Sequence, residues 1–225
     1  LAAMVNWPNL AAAIGGAWMS KDIDFKGLVA LARDLLAQPG RQVMAIVGAP
    51  GSGKSTLVER LAESLPGAAV LPMDGFHYDD AVLHQMGRRP WKGAPDTFDV
   101  GGLRSTLARL RDPAEGAVAV PVFDRDLEIS RGSARIIPPE ARLILVEGNY
   151  LLLNSAPWPG LRLLFDLTIR IEVPEDELRR RLTRRWAGYG LTPDQIAFKL
   201  DENDLPNGRR AVADSAAPDY LLRPD

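Results

Sequence analysis

The sequence predicts an α/β fold with a doubly wound, mainly parallel sheet. Short apolar runs rich in β-branched residues alternate along the chain with amphipathic helical patterns. Such runs suit strands that are buried on both faces, and their alternation with helices favours a parallel sheet covered on both sides. A glycine-rich loop follows the first of the longer apolar runs and precedes a helical pattern. This strand, loop and helix mark where the central sheet is expected to begin.

The elements follow one another in a regular order. A first helix is expected over residues 24–37, where apolar residues recur at helical spacing until Gln38-Pro39-Gly40 ends the pattern. The predicted strands lie at residues 42–47, 68–73, 117–123, 143–146 and 167–173, with a last edge strand at 219–222. Further helices are predicted at residues 55–65, 100–111, 174–187 and 192–201, and a polar turn at 202–209.

Length and composition bound the classes of protein to consider. The 225 residues suit an extension over residues 1–22 and one domain over residues 23–225. A net charge of -2 gives no general attraction for nucleic acid or acidic membranes, and the absence of cysteine excludes disulfides and thiol chemistry. The first nineteen residues lack Lys and Arg, and Pro8 and Gly15 interrupt them, so we expect neither a signal peptide nor a membrane span.

The glycine-rich loop has the sequence of a P-loop. Two glycines separated by four residues are followed by Lys54 and Ser55, in the run Gly48-Ala49-Pro50-Gly51-Ser52-Gly53-Lys54-Ser55-Thr56. The backbone amides of such a loop and the positive end of the next helix bind phosphate oxygens. Lys54 then contacts the β- and γ-phosphates, and the Ser55 hydroxyl ligates Mg²⁺. The sequence therefore predicts a site for ATP and Mg²⁺.

Two carboxylates follow strands that should end at the same edge of the sheet. Glu147 ends the run 143–146, and Asp74 follows the run 68–73. Doubly wound folds bind their ligands at this edge. Glu147 is therefore a candidate for holding Mg²⁺, although an acid here could also cap the next helix. Asp74 could orient a substrate hydroxyl and accept its proton.

Five segments in order carry a resemblance to a known family. They are the P-loop, Asp74-Gly75-Phe76-His77, and residues 92–99, 121–125 and 146–152. Together they resemble the phosphoribulokinase and uridine kinase family of P-loop kinases, which includes pantothenate kinase. The chain is most similar to the bacterial branch labelled as fructokinases or fructose transport system kinases. The resemblance implies the nucleoside kinase-like fold and transfer of the γ-phosphoryl group of ATP to a hydroxyl of a sugar, nucleoside or related metabolite.

The resemblance also implies roles for single residues. Asp74 corresponds to the catalytic base, Lys54 and Ser55 to the phosphate and Mg²⁺ ligands, and Glu147 to the second acid. The helix within residues 174–190 resembles the family's lid, in which Arg181 and Arg185 close over the phosphates, although a basic helix face can also be ordinary solvated surface. Ala94 stands where uridine kinases often carry His, and Phe123 where many relatives have Tyr, which argues against a simple uridine kinase.

A third group of side chains is expected to face the acceptor. The aromatic rings could form an apolar wall and the arginines could bind an anionic acceptor, although core packing and surface charge explain both equally well. The candidates are His77, Arg88, Lys92, Phe98, Phe123 and Arg125, and Arg89 is a further cation beside Arg88 in the same loop.

Two other classes of function remain open from the sequence. A nucleotide-binding regulator or plain P-loop NTPase would share the phosphate loop but have no small-molecule acceptor. A nucleic-acid-dependent ATPase is disfavoured by the net charge and by the lack of a basic stripe with interleaved aromatic residues. We therefore expect a cytoplasmic kinase with a small-molecule hydroxyl substrate and no nucleic-acid or membrane partner. The resemblance allows a homodimer.

Overall fold

Six parallel strands form the centre of the protein. The computed structural model describes residues 20–224, and its strands are β1 (Lys21–Ile23), β2 (Gln42–Gly48), β3 (Ala68–Pro72), β4 (Val118–Asp124), β5 (Ile129–Ile137), β6 (Leu143–Gly148), β7 (Leu167–Ile171) and β8 (Tyr220–Leu222). The central sheet has the order β1-β8-β7-β2-β6-β3, and each neighbouring pair is parallel. The predicted α/β class with a mainly parallel sheet is thus confirmed.

Helices cover both faces of this sheet. They are α1 (Phe25–Ala37), α2 (Lys54–Glu63), α3 (Asp80–Gln85), α4 (Val100–Arg111), α5 (Glu175–Gly188), α6 (Pro193–Lys199) and α7 (Leu205–Ala213), with a π-helical turn at Leu200–Asp204. Shorter 3₁₀ turns lie at Met73–Phe76, Arg89–Trp91, Pro95–Thr97 and Trp158–Leu164. Side-chain caps begin several helices: Asp24 accepts a bond from Gly27 N, and Asp99 accepts one from Gly102 N.

The apolar residues of the strands divide between two cores. In β2, Val43, Ala45 and Val47 pack on one face of the sheet, while Met44 and Ile46 pack on the other. Because successive side chains of a strand point to opposite faces, a strand covered on both sides must be apolar throughout. This explains the uninterrupted apolar runs. A third, smaller cluster lies between α5, α6, α7 and the P-loop.

Strands β4 and β5 form a separate antiparallel ribbon against the turn Met73–Phe76. The contact is close, since a Cβ atom on Gly75 would lie 2.5 Å from the carbonyl oxygen of Pro121. The Ser130 hydroxyl donates a hydrogen bond to the Gly75 carbonyl oxygen. The ribbon is therefore fixed beside the turn that carries Asp74.

Several elements differ from the sequence-based expectations. The prediction of an edge strand at residues 219–222 is wrong, because β8 pairs with β7 on one side and with β1 on the other. The polar turn predicted at residues 202–209 is also wrong: the chain is helical there, because the apolar face of α7 packs on the start of the P-loop. Strand β5 was not predicted, since most of its side chains are exposed and show no alternation of apolar and polar residues.

The predicted N-terminal extension falls largely outside the described residues, and the division of the chain at residue 22 stays a prediction. Within residues 20–224, none of the helices combines the length and the hydropathy that a bilayer-spanning segment needs.

The close approach at Gly75 gives a test of the fold. We expect Gly75→Ala to lower the free energy of unfolding by about 1–3 kcal/mol, because the added methyl group meets backbone that cannot move aside without shifting the ribbon. Gly101→Ala is the matched control, since its Cβ would make only an ordinary contact, 3.4 Å from Asp99 Oδ1, and Ala favours a helix. Urea denaturation of both variants measures the difference, and equal stabilities would contradict the close contact.

Candidate active site

The P-loop lies between β2 and α2, at the carboxyl edge of the sheet. Gly51 has a φ angle of +78°, and a Cβ atom there would lie 3.0 Å from Leu182 Cγ, so both conformation and space require glycine. Lys54 begins α2 and its Nζ atom donates to the carbonyl oxygens of Gly48 and Ala49, each at 3.0 Å. The N-terminus of α2 therefore faces the loop, as an anion site requires.

Glu147 ends β6, the neighbour of β2, and its carboxylate reaches the P-loop. The Ser55 hydroxyl donates to Glu147 Oε1 at 3.2 Å. Burial raises the pKa of Glu147, and the negative charge of Asp74 raises it further, while Lys54 opposes both. Burial lowers the pKa of Lys54 in turn, against the attraction of the two carboxylates. These three groups therefore lie close enough to influence one another's ionisation.

Asp74 lies at the same edge because β3 pairs in register with β6. Pro72 lies opposite Glu147, and Asp74 follows two residues later in the turn Met73–Phe76. Its carboxylate pairs with Arg125, which follows β4. Burial alone would raise the pKa of Asp74, but the nearby positive charges, led by Arg125, outweigh it and lower this pKa. Asp74 is therefore ionised at neutral pH.

An aromatic wall stands beside Asp74. The ring of His77 lies 4.0 Å from that of Phe98 and 4.8 Å from that of Phe123, measured between centroids. His77 Nδ1 lies 2.8 Å from the Asp74 carbonyl oxygen, so this nitrogen carries the proton and donates it. Burial lowers the pKa of His77, although Asp74 opposes this shift. The imidazole is therefore neutral and leaves Nε2 as an acceptor.

The loop before Phe98 supplies two cations to the cavity. Lys92 and Arg89 both pair with Asp80, and both line the cavity. Arg88, which was predicted to face the acceptor, does not line this cavity; it pairs with Asp96 and lies over the ring of Trp91. The adjacent Arg89 occupies the place expected for it.

Helix α5 closes the opposite side. Leu178 and Leu182 are buried in the cluster beneath it, and Arg181 and Arg185 line the cavity. Arg181 Nη1 lies 3.5 Å from the carbonyl oxygen of Ser52, and Arg181 Nε lies 2.6 Å from Glu177. The helix predicted as a lid thus holds the Arg181 guanidinium group against the P-loop and presents that of Arg185 to the same cavity.

These elements enclose one cavity of about 430 Å³. Its lining brings together most of the predicted site residues: Pro50, Gly51, Gly53, Lys54, Ser55, Thr56, Asp74, His77, Lys92, Phe98, Phe123, Arg125, Glu147, Arg181 and Arg185. Gly48, Ala49 and Ser52 belong to the P-loop but lie outside the lining. The loop cation Arg89 also lines the cavity, and the sequence analysis missed the lining residues Glu128, Asn149, Trp186, Lys199, Asn203, Asp204 and Asn207.

Three of the missed residues lie in one segment. Asn203, Asp204 and Asn207 lie in the segment that was predicted to be a polar turn, so nothing indicated which side chains would face inward. Trp186 Nε1 donates to Asp204 Oδ2 at 2.7 Å, and Asn203 Nδ2 donates to the Lys92 carbonyl oxygen at 3.2 Å. The amphipathic spacing of Leu205, Gly208 and Ala211 is the signal that could have identified the helix.

Comparison with known proteins identifies the family. No protein-family model matches the chain. A crystal structure described as a "putative fructose transport system kinase" from Silicibacter sp. TM1040 is 42% identical, has a TM-score of 0.79, and covers 88% of this chain and 98% of that chain. The "Putative uridine kinase C227.14" of Schizosaccharomyces pombe is 30% identical over 202 residues, which are 84% of this chain and 86% of the relative.

The chain belongs to the phosphoribulokinase and uridine kinase family of P-loop kinases. It is therefore a phosphotransferase, as the resemblance implied. A further relative, the Escherichia coli protein YggC, is 38% identical over 188 residues, which are 81% of this chain and 77% of YggC.

Kinases of this family use ATP with Mg²⁺, and the residues of this chain fit both. Lys54 Nζ donates to the carbonyl oxygens of Gly48 and Ala49 and has no carboxylate partner among the described residues, which suits the binding of a phosphate group. The Ser55 hydroxyl and the Glu147 carboxylate supply the oxygen ligands that Mg²⁺ prefers.

The packing of Leu182 against the P-loop gives a test of the lid. We expect Leu182→Ala to lower the free energy of unfolding by about 2–5 kcal/mol, because it removes a buried side chain. We also expect weaker ATP binding, because the lid helix loses its packing contact with Gly51 of the P-loop. Leu163→Ala is the control, since Leu163 is 92% exposed. Thermal melts and ATP titrations measure both effects, and unchanged ATP affinity in the folded Leu182→Ala variant would contradict this role.

Proposed function

We propose that the protein transfers the γ-phosphoryl group of ATP to a hydroxyl of a sugar, nucleoside or related small metabolite. The observation that carries this proposal is that Asp74 and the P-loop residues Lys54 and Ser55 line one cavity, which continues beyond them to an aromatic wall. A regulator or plain NTPase needs no such second chamber. The kinases among the relatives also disfavour that alternative.

The P-loop end of the cavity accommodates the phosphates of ATP. Lys54 and the loop amides bind the β- and γ-phosphates, and Ser55 and Glu147 hold Mg²⁺, which offsets phosphate charge when bound. A second cavity of about 900 Å³ shares Gly53, Thr56 and Arg181 with the first. We place the base and ribose of ATP in this second cavity, because it adjoins Gly53 and Thr56, the end of the P-loop where the α-phosphate would lie.

Asp74 acts on the acceptor. Its ionised carboxylate accepts the proton of the acceptor hydroxyl while that oxygen bonds to the γ-phosphorus and the bond to the bridging oxygen of ADP breaks. Arg181 and Arg185 screen the charge of the transferring group and exclude water from it. His77, Phe98 and Phe123 orient the acceptor.

The names of the relatives guide the choice of acceptors to test. An ADP-release assay over fructose, uridine, cytidine, nicotinamide riboside, pantothenate and glycerate covers the classes of hydroxyl that this family suggests. We keep as proposals a cytoplasmic location, a homodimer, and no nucleic-acid or membrane partner. Stimulation of ATP turnover by a polynucleotide would contradict the third of these.

Replacing Asp74 tests its role as the base. We expect Asp74→Asn to keep ATP affinity but to lower transfer by about 10²–10⁴-fold, because the amide cannot accept the proton. Lys54→Ala should weaken both ATP binding and transfer, since Lys54 contacts the phosphates in every step. ATP titration and ADP release measure the two quantities separately. If the Asp74→Asn variant releases ADP as fast as the wild type, Asp74 is not the catalytic base.

The charge of Arg125 gives a pH test. Arg125 lowers the pKa of Asp74, whereas burial raises it. The Arg125→Gln variant loses the positive charge, so the pKa of Asp74 should be higher in this variant than in the wild type. Because the base must be deprotonated, the acidic limb of the kcat/KM profile should move to higher pH in this variant. Arg131→Gln is the control, because Arg131 pairs with Asp124 on the same ribbon and is exposed. An acidic limb that stays in place, or moves to lower pH, would exclude Arg125 as the cause of the shift.

A further inference from the structure

Each cation at the acceptor end of the cavity already has a carboxylate partner. Arg125 pairs with Asp74. Arg89 Nε and Lys92 Nζ each lie 2.7 Å from one oxygen of Asp80. Lys92 Nζ also donates to the Glu128 carbonyl oxygen at 2.5 Å, and the Lys92 side chain is only 7% exposed. Each of these cations is held by a carboxylate, so an added anion would compete with that carboxylate for the positive charge.

The carboxylates match the cations in number. Glu128 also lines the cavity, and within residues 20–224 no Lys, Arg or His nitrogen lies within 4 Å of its carboxylate. Arg89, Lys92 and Arg125 are thus opposed by Asp74, Asp80 and Glu128. These three cations are matched by three carboxylates, of which Asp74 and Glu128 line the cavity.

The end of the cavity beside the P-loop differs in charge from the acceptor end. Lys54 and Arg185 line the cavity, the charge of Arg185 acts on that of Lys54, and each lacks a carboxylate oxygen within 4 Å in the part of the chain that the structure describes. Lys199 also lines the cavity without such a partner, and it lies over the ring of Trp186, whose indole nitrogen donates to Asp204. Unpaired cations are what a polyphosphate requires, because they gain a partner when it binds. Unpaired positive charge therefore lies beside the proposed phosphate site, whereas Arg89, Lys92 and Arg125 at the acceptor end are each paired with a carboxylate.

We infer that the acceptor is an uncharged, polyhydroxylated molecule with an apolar face, and not a phosphorylated or carboxylated one. This inference rests on the proposed function. An anionic acceptor would meet the carboxylates of Asp74 and Glu128 in the same cavity, and it would compete with Asp74 and Asp80 for the cations that they hold. An uncharged hydroxyl compound breaks no ion pair.

The remaining wall suits such a molecule. Phe98 and Phe123 contribute apolar atoms to the lining, against which the apolar part of a carbohydrate or nucleoside can pack. The neutral His77 presents Nε2 as an acceptor for a hydroxyl proton. From the sequence, the arginines near the acceptor favoured an anionic acceptor. In the structure, Arg89 is paired with Asp80 and Arg125 with Asp74.

Matched pairs of acceptors test the inference on the wild-type protein. Fructose and fructose 6-phosphate, glycerol and glycerate, and pantothenol and pantothenate each differ in one anionic group. We expect kcat/KM in an ADP-release assay to be at least about tenfold higher for the uncharged member, a factor that corresponds to about 1.4 kcal/mol. A higher kcat/KM for the anionic members would overturn the inference and leave the proposed kinase function standing. ATP turnover that no acceptor accelerates would overturn both.

Asp80→Asn tests the charge argument directly. Removing this carboxylate frees Arg89 and Lys92, so the ratio of kcat/KM for the anionic over the uncharged member should rise by about tenfold relative to wild type. Glu115→Gln is the control, since it removes an exposed carboxylate paired with Arg109 away from the cavity. An unchanged ratio in a folded Asp80→Asn protein would overturn the inference, and the conservative Asp80→Glu should retain the wild-type ratio.

Discussion

The structure depends on the parallel register of three neighbouring strands. Because β2, β6 and β3 run in the same direction, their carboxyl ends meet, and each delivers one charged residue to the same small volume. Lys54, Glu147 and Asp74 are therefore brought together by the backbone pairing of these strands, against the cost of burying three charged groups. An antiparallel partner in place of either strand would carry its acid to the opposite end of the sheet.

The part of the site that depends on local sequence could be predicted. The P-loop is continuous in the chain, and the ends of apolar runs place Asp74 and Glu147 at the sheet edge without knowledge of the strand order. Contacts between distant segments could not be derived in this way. Arg125 pairs with Asp74 across 51 residues, and the choice between Arg88 and Arg89 depends on which way one short turn faces.

The missed elements have different physical causes. Strand β5 is held by backbone bonds to β4 and by only a few buried side chains, so its sequence lacks the apolar alternation that marks a half-buried strand. Helix α7 contains Pro206, Asn207 and Gly208, which are typical of turns. Pro206 is tolerated in the first turn of the helix, and Gly208 is needed because a Cβ would lie 3.2 Å from that of Ala49. Tertiary packing thus overrides local preference there.

The contact between Gly75 and Pro121 limits how this chamber can change. The backbone of the ribbon and the turn that holds Asp74 touch without an intervening side chain, so neither can shift without displacing the other. A wider or narrower chamber obtained by sliding the ribbon would also misplace the carboxylate. Divergence toward new acceptors in this architecture is therefore confined to exchanging the side chains that project from a fixed frame, such as those at positions 77, 98 and 123.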